Sequence, residues 1–191
     1  MTDIREGIIQ TAAALGMDPL DLATIISYET GGTFSPTQAG PTTQWGQHRG
    51  LIQFGEPQAA QYGVDWNDPM GSQLGPDAAI YRYFVENGWQ PGMDRLDAYS
   101  IVNAGAPGRY NASDANNGGA PGTVRDKVTG QMAPHEEKAR ALLGGDYTPS
   151  NALAAPGAGG QPQPGGNALV GAQNMPQLKL NSLAAEPYRM T

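Results

Sequence analysis

A single glutamate shares the apolar face of a predicted helix near the start of the chain. Leu22, Ile25, Ile26 and Glu29 are spaced at i, i+3, i+4 and i+7, which places them on one side of that helix. Apolar surroundings disfavour the charged form of a carboxylate, so we expect the pKa of Glu29 to rise toward neutrality. Such a group can act as the general acid of glycoside cleavage. The spacing alone leaves open the alternative that Glu29 lies beyond the helix end, in solvent.

Two further stretches carry polar side chains that could bind a ligand. Gln53 is the single amide in the apolar run GLIQFG at residues 50–55. A buried glutamine requires partners such as sugar hydroxyl or N-acetyl groups, although its own loop backbone could also supply them. Tyr99 and Asn103 are four residues apart on one helical face, where they could line a cleft or close the core.

Capping signals define the helices that must position these residues. Asp3 with Glu6 predicts a helix start, and Gly16 predicts its end. Residues 31–50 show no sustained period and are predicted to form a long ordered or semi-ordered loop, which in a compact domain is usually functional. Residues 105–132 are predicted to be irregular. No segment alternates with a period of two residues, which predicts a mainly α domain. The predicted helices cover residues 3–15, 19–29, 57–62, 76–86, 94–104 and 134–143.

Composition and charge exclude several classes of function. The chain has 191 residues, no cysteine and a formal net charge of −7. Disulfides and thiol catalysis are therefore excluded, and a nucleic-acid or anionic-membrane partner is not expected. No apolar run is long enough for a membrane span, and the start MTDIREGIIQ is not expected to be a secretory leader. His48 and His135 are too isolated to suggest a metal site, and neither has the spacing of an HExxH motif.

The composition changes at Gly144. Between Gly144 and Met175 there are eight glycines and four prolines, and residues 147–178 carry no charge. Such a segment cannot supply a packed core. We therefore predict a domain at residues 1–145 and an extended irregular arm at residues 146–191, whose last apolar residues could dock on a partner. The alternative is a disordered tail without a function.

Together these residues resemble the lytic transglycosylase family of the lysozyme-like superfamily, in the versions carried by bacteriophage virions. Three motifs carry the resemblance: Glu29–Pro36 (ETGGTFSP), Gly50–Gln53 (GLIQ), and Ala98-Tyr99 followed by Asn103-Ala104-Gly105. The corresponding family patterns are a helix-final Glu with Ser or Thr, an aromatic residue and Pro; Gly-Leu-Met-Gln; and Ala-Tyr-Asn-Ala-Gly. The order and separations match over about residues 3–145.

The resemblance implies a lysozyme-like fold of the goose-type or lytic transglycosylase kind, with a long active-site loop. Glu29 would be the single catalytic residue, protonating the glycosidic oxygen and then deprotonating the muramic 6-hydroxyl. The product would be a 1,6-anhydro sugar, formed without a cofactor. The candidate substrate-binding residues are Gln53, Tyr99, Asn103, Gly50 and Thr43.

Two departures from the family pattern affect these assignments. A serine often follows the first motif in the family, whereas none lies near Ala39-Gly40, and Thr42 or Thr43 could replace it. The third motif is also stretched. If Asn103 anchors it, Val102 replaces the tyrosine, and if Tyr99 anchors it, three residues intervene before the asparagine.

The expected function is cleavage of peptidoglycan glycan strands by a virion protein that opens the cell wall locally during genome entry. It would act in the bacterial periplasm or cell wall, with the arm at 146–191 bound to other tail or internal virion proteins. One alternative is a muramidase-type hydrolase, which needs a second carboxylate such as Glu56, Asp65 or Asp68. Another is a structural virion or tail protein whose domain binds glycan or is inactive.

Overall fold

The structure, a computed structural model, describes residues 3–144, and the predicted arm at 146–191 lies outside the described residues. The described part of the chain is mainly helical, as predicted, with one small antiparallel sheet. Within this range no helix is both long and apolar enough to cross a membrane. Its helices are α1 Ile4–Leu15, α2 Pro19–Glu29, α3 Glu56–Tyr62, α4 Pro69–Gln73, α5 Ala79–Glu86, α6 Arg95–Ala104, α7 Val124–Asp126 and α8 Ala133–Leu143, and its strands are β1 Ala39–Thr43 and β2 Gly46–Arg49.

The predicted caps form at the helices that carry the candidate residues. The Asp18 side chain accepts a hydrogen bond from Leu20 N at 2.9 Å at the start of α2. Asp94 caps α6 in the same way, accepting from Asp97 N at 3.0 Å. Gly105 ends α6 with a φ of 73°, a backbone conformation that glycine adopts without steric cost. These caps fix where α6 begins and ends.

Helix α2 lies at the centre of the domain and packs against α1, α6 and α8. Arg95 at the start of α6 reinforces this arrangement, because its guanidinium pairs with Asp21 of α2 at 2.7 Å and with Glu136 of α8 at 2.5 Å. The fully buried aliphatic and aromatic side chains around α2 form one core. They include Ile8, Leu22, Ile25, Ile26, Ile80, Phe84 and Ile101.

The prediction that residues 31–50 form a long loop is wrong for their second half. Strands β1 and β2 form an antiparallel hairpin in which Thr43 pairs with Gly46 and Ala39 with Arg49, with an irregularity between them. Both faces of β1 are largely exposed, so its sequence lacks the alternation by which a half-buried strand is recognised. Pro41 inside β1 also counts against a strand in a sequence pattern.

The prediction for residues 105–132 is also incomplete. A 3₁₀ turn at Ala115–Asn117 and α7 lie in this segment, and a π-helical stretch at Lys127–Gln131 follows α7 directly. Helix α4 was not predicted, and α5 begins at Ala79 rather than at residue 76. These elements are short, so hydrophobic periodicity has too few turns in which to show.

A buried glutamine of α4 fastens the segment that precedes α3. The Gln73 side chain accepts a hydrogen bond from Leu51 N at 2.8 Å and donates to Pro36 O and Pro69 O, both at 2.7 Å. A side chain at Gly50, where φ is 97°, would collide with this amide. Gln73 thereby fixes the loop that leads to Gln53.

Candidate functional site

Glu29 is the last residue of α2, and hydrogen bonds from the side chain of the next residue end the helix. Thr30 is buried, and its hydroxyl donates to Ile26 O at 2.7 Å and accepts from Phe34 N at 3.0 Å. This arrangement turns the chain sharply at the two glycines that follow Thr30. The alternative that Glu29 lies beyond the helix end is therefore wrong.

The surroundings of Glu29 favour its protonated form. Although the residue keeps part of its surface exposed, burial of its carboxylate is the largest influence and raises its pKa to about 7. A hydrogen bond from Tyr99 and the charge of Lys127 act in the opposite direction, whereas the charge of Asp114 raises the pKa further. A carboxyl group that titrates near pH 7 can both donate and accept a proton at neutral pH.

Three tyrosines surround Glu29. Tyr99 of α6 is buried and its hydroxyl bonds the Glu29 carboxylate, and burial with this negative neighbour raises the pKa of the phenol. The ring of Tyr28 packs edge-on against that of Tyr99, with centroids 5.6 Å apart. Burial also raises the pKa of Tyr28 to about 12 and that of Tyr83 above its usual range, with the Glu29 charge contributing in both cases. All three phenols therefore remain neutral donors at physiological pH.

Asn103 lies one helical turn after Tyr99 and contacts a carboxylate that the sequence analysis did not identify. Its Nδ2 donates to Asp114 Oδ2 at 2.6 Å, while Asp114 Oδ1 pairs with the buried Lys127 ammonium. Since a carboxylate can only accept, the Asn103 amide orientation is fixed with Oδ1 directed away from Asp114. This Oδ1 atom is buried and has no hydrogen-bond partner among the described residues.

Gln53 occupies a strained position in the second motif. Its φ of 58° is in the left-handed region, which residues other than glycine seldom adopt and which is found preferentially at functional sites. The side-chain Nε2 donates to Gly50 O at 2.9 Å and to Gln38 O at 3.2 Å, which fixes the amide orientation. Its Oε1 lies over Gly40 and, like Asn103 Oδ1, is buried without a partner in the described range.

His48 and Thr43 support Gln53 from the hairpin. His48 Nδ1 lies 2.9 Å from Gln53 O, a carbonyl that can only accept, so this ring nitrogen is the donor. His48 Nε2 then accepts from the Thr43 hydroxyl at 3.0 Å. Thr43 therefore contributes to the position of Gln53 through His48, and His48 is a residue that the sequence analysis considered only as a metal ligand.

The structure thus places the candidate residues in two groups. Glu29, Tyr99 and Asn103 lie together with Asp114 and Lys127, whereas Gln53, Gly50 and Thr43 lie together in the hairpin region. No hydrogen bond or ion pair between the two groups is present in residues 3–144. Each group presents one unpartnered acceptor, Asn103 Oδ1 in the first and Gln53 Oε1 in the second.

The three carboxylates suggested as a second acid have local structural roles instead. Glu56 accepts from Gln47 N at 3.3 Å, Asp65 accepts from Asn67 N at 2.8 Å, and Asp68 caps α4. Asp114 is the second carboxylate that acts on Glu29. Sequence reasoning missed it because nothing in the irregular segment 105–132 indicates that Asp114 folds back against α6.

A separate cavity of about 250 Å³ lies between the hairpin and α3, away from Glu29. It is lined in part by Arg49 and Trp66, and the Arg49 guanidinium stacks 4.3 Å from the centre of the indole ring. No group of three or more potential metal ligands is present in the described residues. We compared the chain with known family models, with characterised proteins and with solved structures, and none of the three comparisons gave a match.

Proposed function

We propose that this chain is a peptidoglycan lytic transglycosylase of the lysozyme-like type, with Glu29 as its single catalytic residue. The observation that carries the proposal is the combination of a carboxyl group with a pKa of about 7 and two buried unpartnered acceptors, Gln53 Oε1 and Asn103 Oδ1. Buried polar atoms are nearly always satisfied, so a free acceptor indicates a missing partner, either a water molecule or a ligand group. Amino sugars offer matching donors in their hydroxyl and N-acetyl N–H groups.

The proposed reaction uses both protonation states of Glu29. The protonated carboxyl gives its proton to the glycosidic oxygen, and the bond from that oxygen to the anomeric carbon of the muramic residue breaks. The resulting carboxylate then takes the proton of the muramic 6-hydroxyl, whose oxygen bonds to the anomeric carbon and closes the 1,6-anhydro ring. Glu29 is returned to its protonated state. The hydrogen bond from Tyr99 stabilises the carboxylate that exists between the two transfers.

The state of Asp114 favours this reaction over hydrolysis. A hydrolase requires a second carboxylate that is free to activate water or attack the sugar. Both Asp114 oxygens are engaged, one by Lys127 and the other by Asn103. Glu29 acting alone requires no such group.

The test is mass spectrometry of fragments released from purified peptidoglycan. We expect anhydro-muropeptides from the wild-type protein and none from Glu29→Gln. Glu137→Gln is the matched control, since Glu137 is an exposed glutamate of α8, and it should give wild-type products. Reducing-end products would assign the protein to the hydrolases, and no products from a folded wild-type protein would favour the structural or glycan-binding alternative.

Delivery in a virion is part of the same proposal and is supported by the resemblance and by the composition of residues 146–191. The arm would bind other tail or internal virion proteins, and the domain would act on the cell wall during genome entry. A chain that ends at residue 145 should cleave peptidoglycan but fail to enter particles. Incorporation of the shortened chain would show that the arm is not the anchor.

A further inference from the structure

Lys127 is an unusual residue for the interior of a small domain. Its side chain is 1% exposed, and lysines are seldom buried to this extent without an ionic partner. It begins the π-helical stretch Lys127–Gln131, and π-helical turns are rare and occur frequently at functional sites. A buried ion pair is often no more stabilising than apolar side chains of the same volume. Packing alone therefore gives little reason for a lysine here.

The Lys127–Asp114 pair contacts the candidate acid site on two sides. The Lys127 ammonium lies 6.0 Å from the ring centre of Tyr99, the residue that bonds Glu29. Asp114 is held by Asn103, one turn further along the same helix. Displacement of either member of the pair would therefore disturb a residue of α6 that faces the site.

The charges around Glu29 come from several elements. Helix α1 packs on α2 through a buried face without titratable side chains. Among the described residues, the π-helical stretch supplies the ammonium group that acts on Glu29, and the segment before α7 supplies the carboxylate that opposes it. The Glu29 charge also acts on Tyr28 of α2, Tyr83 of α5 and Tyr99 of α6, while His135 packs beside Tyr28 and the Lys138 ammonium lies over Gly32.

We propose that Lys127 and Asp114 are positioning residues that act as a pair to set the charge state in which Glu29 meets its substrate. Because the two charges oppose one another at Glu29, neutralising either one leaves the other unbalanced. Asp114→Asn removes the negative charge that opposes the Lys127 ammonium, and the remaining positive charge favours the Glu29 carboxylate. Lys127→Met removes the positive charge that opposes the Asp114 carboxylate, and the remaining negative charge favours the protonated form of Glu29. The inference rests on the proposed role of Glu29 as general acid.

The test is a carboxyl ¹³C NMR titration of Glu29 in the full chain. Relative to the wild type, we expect the titration midpoint to fall in Asp114→Asn and to rise in Lys127→Met, each by about half a unit or more, which is roughly a threefold change in the protonation equilibrium. The double variant should lie between the two single variants. Glu137→Gln is the control, because Glu137 is an exposed carboxylate of α8 and is not among the charges that act on Glu29.

The outcomes separate this inference from the proposed function. Midpoints in the wild-type position for both single variants would overturn the inference, as would shifts in the same direction. If one single variant does not fold, the other single variant decides, and an unchanged Glu29 midpoint in that variant would refute the pair's role. Peptidoglycan cleavage is assayed in parallel. Shifted midpoints without cleavage would refute the proposed function and leave the charge relationship intact.

Discussion

Replacement of Glu29 by glutamine should stabilise the protein at high pH and leave its stability unchanged at low pH. The pKa of Glu29 rises from 4.5 in an unfolded chain to about 7 in the folded protein. Between these values the folded state holds a proton that the unfolded state has lost, so wild-type stability decreases as the pH rises through this window. Glutamine is neutral throughout and does not have this dependence.

The size of the effect follows from the two pKa values. A change from 4.5 to about 7 corresponds to about 3.5 kcal/mol of unfolding free energy when Glu29 is fully ionised, at about 1.4 kcal/mol for each pKa unit. We expect Glu29→Gln to equal the wild type near pH 4 and to exceed it by up to about 3 kcal/mol near pH 8. For a domain of this size the difference corresponds to roughly 6 to 12 °C in Tm.

The assay is urea unfolding of both proteins at several pH values between 4 and 8. Contributions from all other titratable groups are common to the two proteins and cancel in the difference. Glu137→Gln, which removes an exposed carboxylate of α8, is the control. A difference between Glu29→Gln and wild type that is the same at pH 4 and pH 8 would refute the reasoning, because the Glu29 carboxyl would then not be titrating near neutrality in the folded state.

Two further predictions concern the neighbours of Glu29 and Gln53. Tyr99→Phe removes the hydrogen bond that stabilises the Glu29 carboxylate, so the rate of anhydro-product formation should fall about tenfold or more. The unfolding free energy should fall by only about 1 kcal/mol. Equal rates of product formation in the variant and the wild type would show that the Tyr99 hydroxyl is not needed. Gly40→Ala places a methyl group against Gln53 Oε1, so KM for glycan strands should rise while kcat is largely retained. An unchanged KM in steady-state assays would exclude Oε1 as a substrate contact.

The sequence predicted those parts of the molecule that depend on local signals. The cap at Asp94 and the glycine at 105 define α6 closely, because capping is decided within a few residues. The apolar stripe that ends in Glu29 likewise requires only the helical period. Asp114 and Lys127 could not be found in this way, because they reach the site through a segment whose fold is determined by its contacts with α6.

The hairpin shows a different limit of sequence reasoning. Its strands are recognisable by backbone pairing rather than by apolar alternation, since their side chains are mostly exposed. The strain at Gln53 is similarly invisible in the sequence GLIQ, because a glutamine gives no indication of a positive φ. It becomes understandable once His48 is seen to hold the Gln53 carbonyl from the hairpin.

The packing of α2 against α8 has a consequence for how the protein is made. The ribosome completes α2 more than a hundred residues before it completes α8. Arg5 in α1 also bonds Leu143 O, the last residue of α8, at 2.9 Å. Contacts between such distant segments form slowly because a long loop must close first. Glu29 therefore gains its low-polarity surroundings only when nearly the whole domain has been synthesised, so a nascent chain carries the acid without its activating environment.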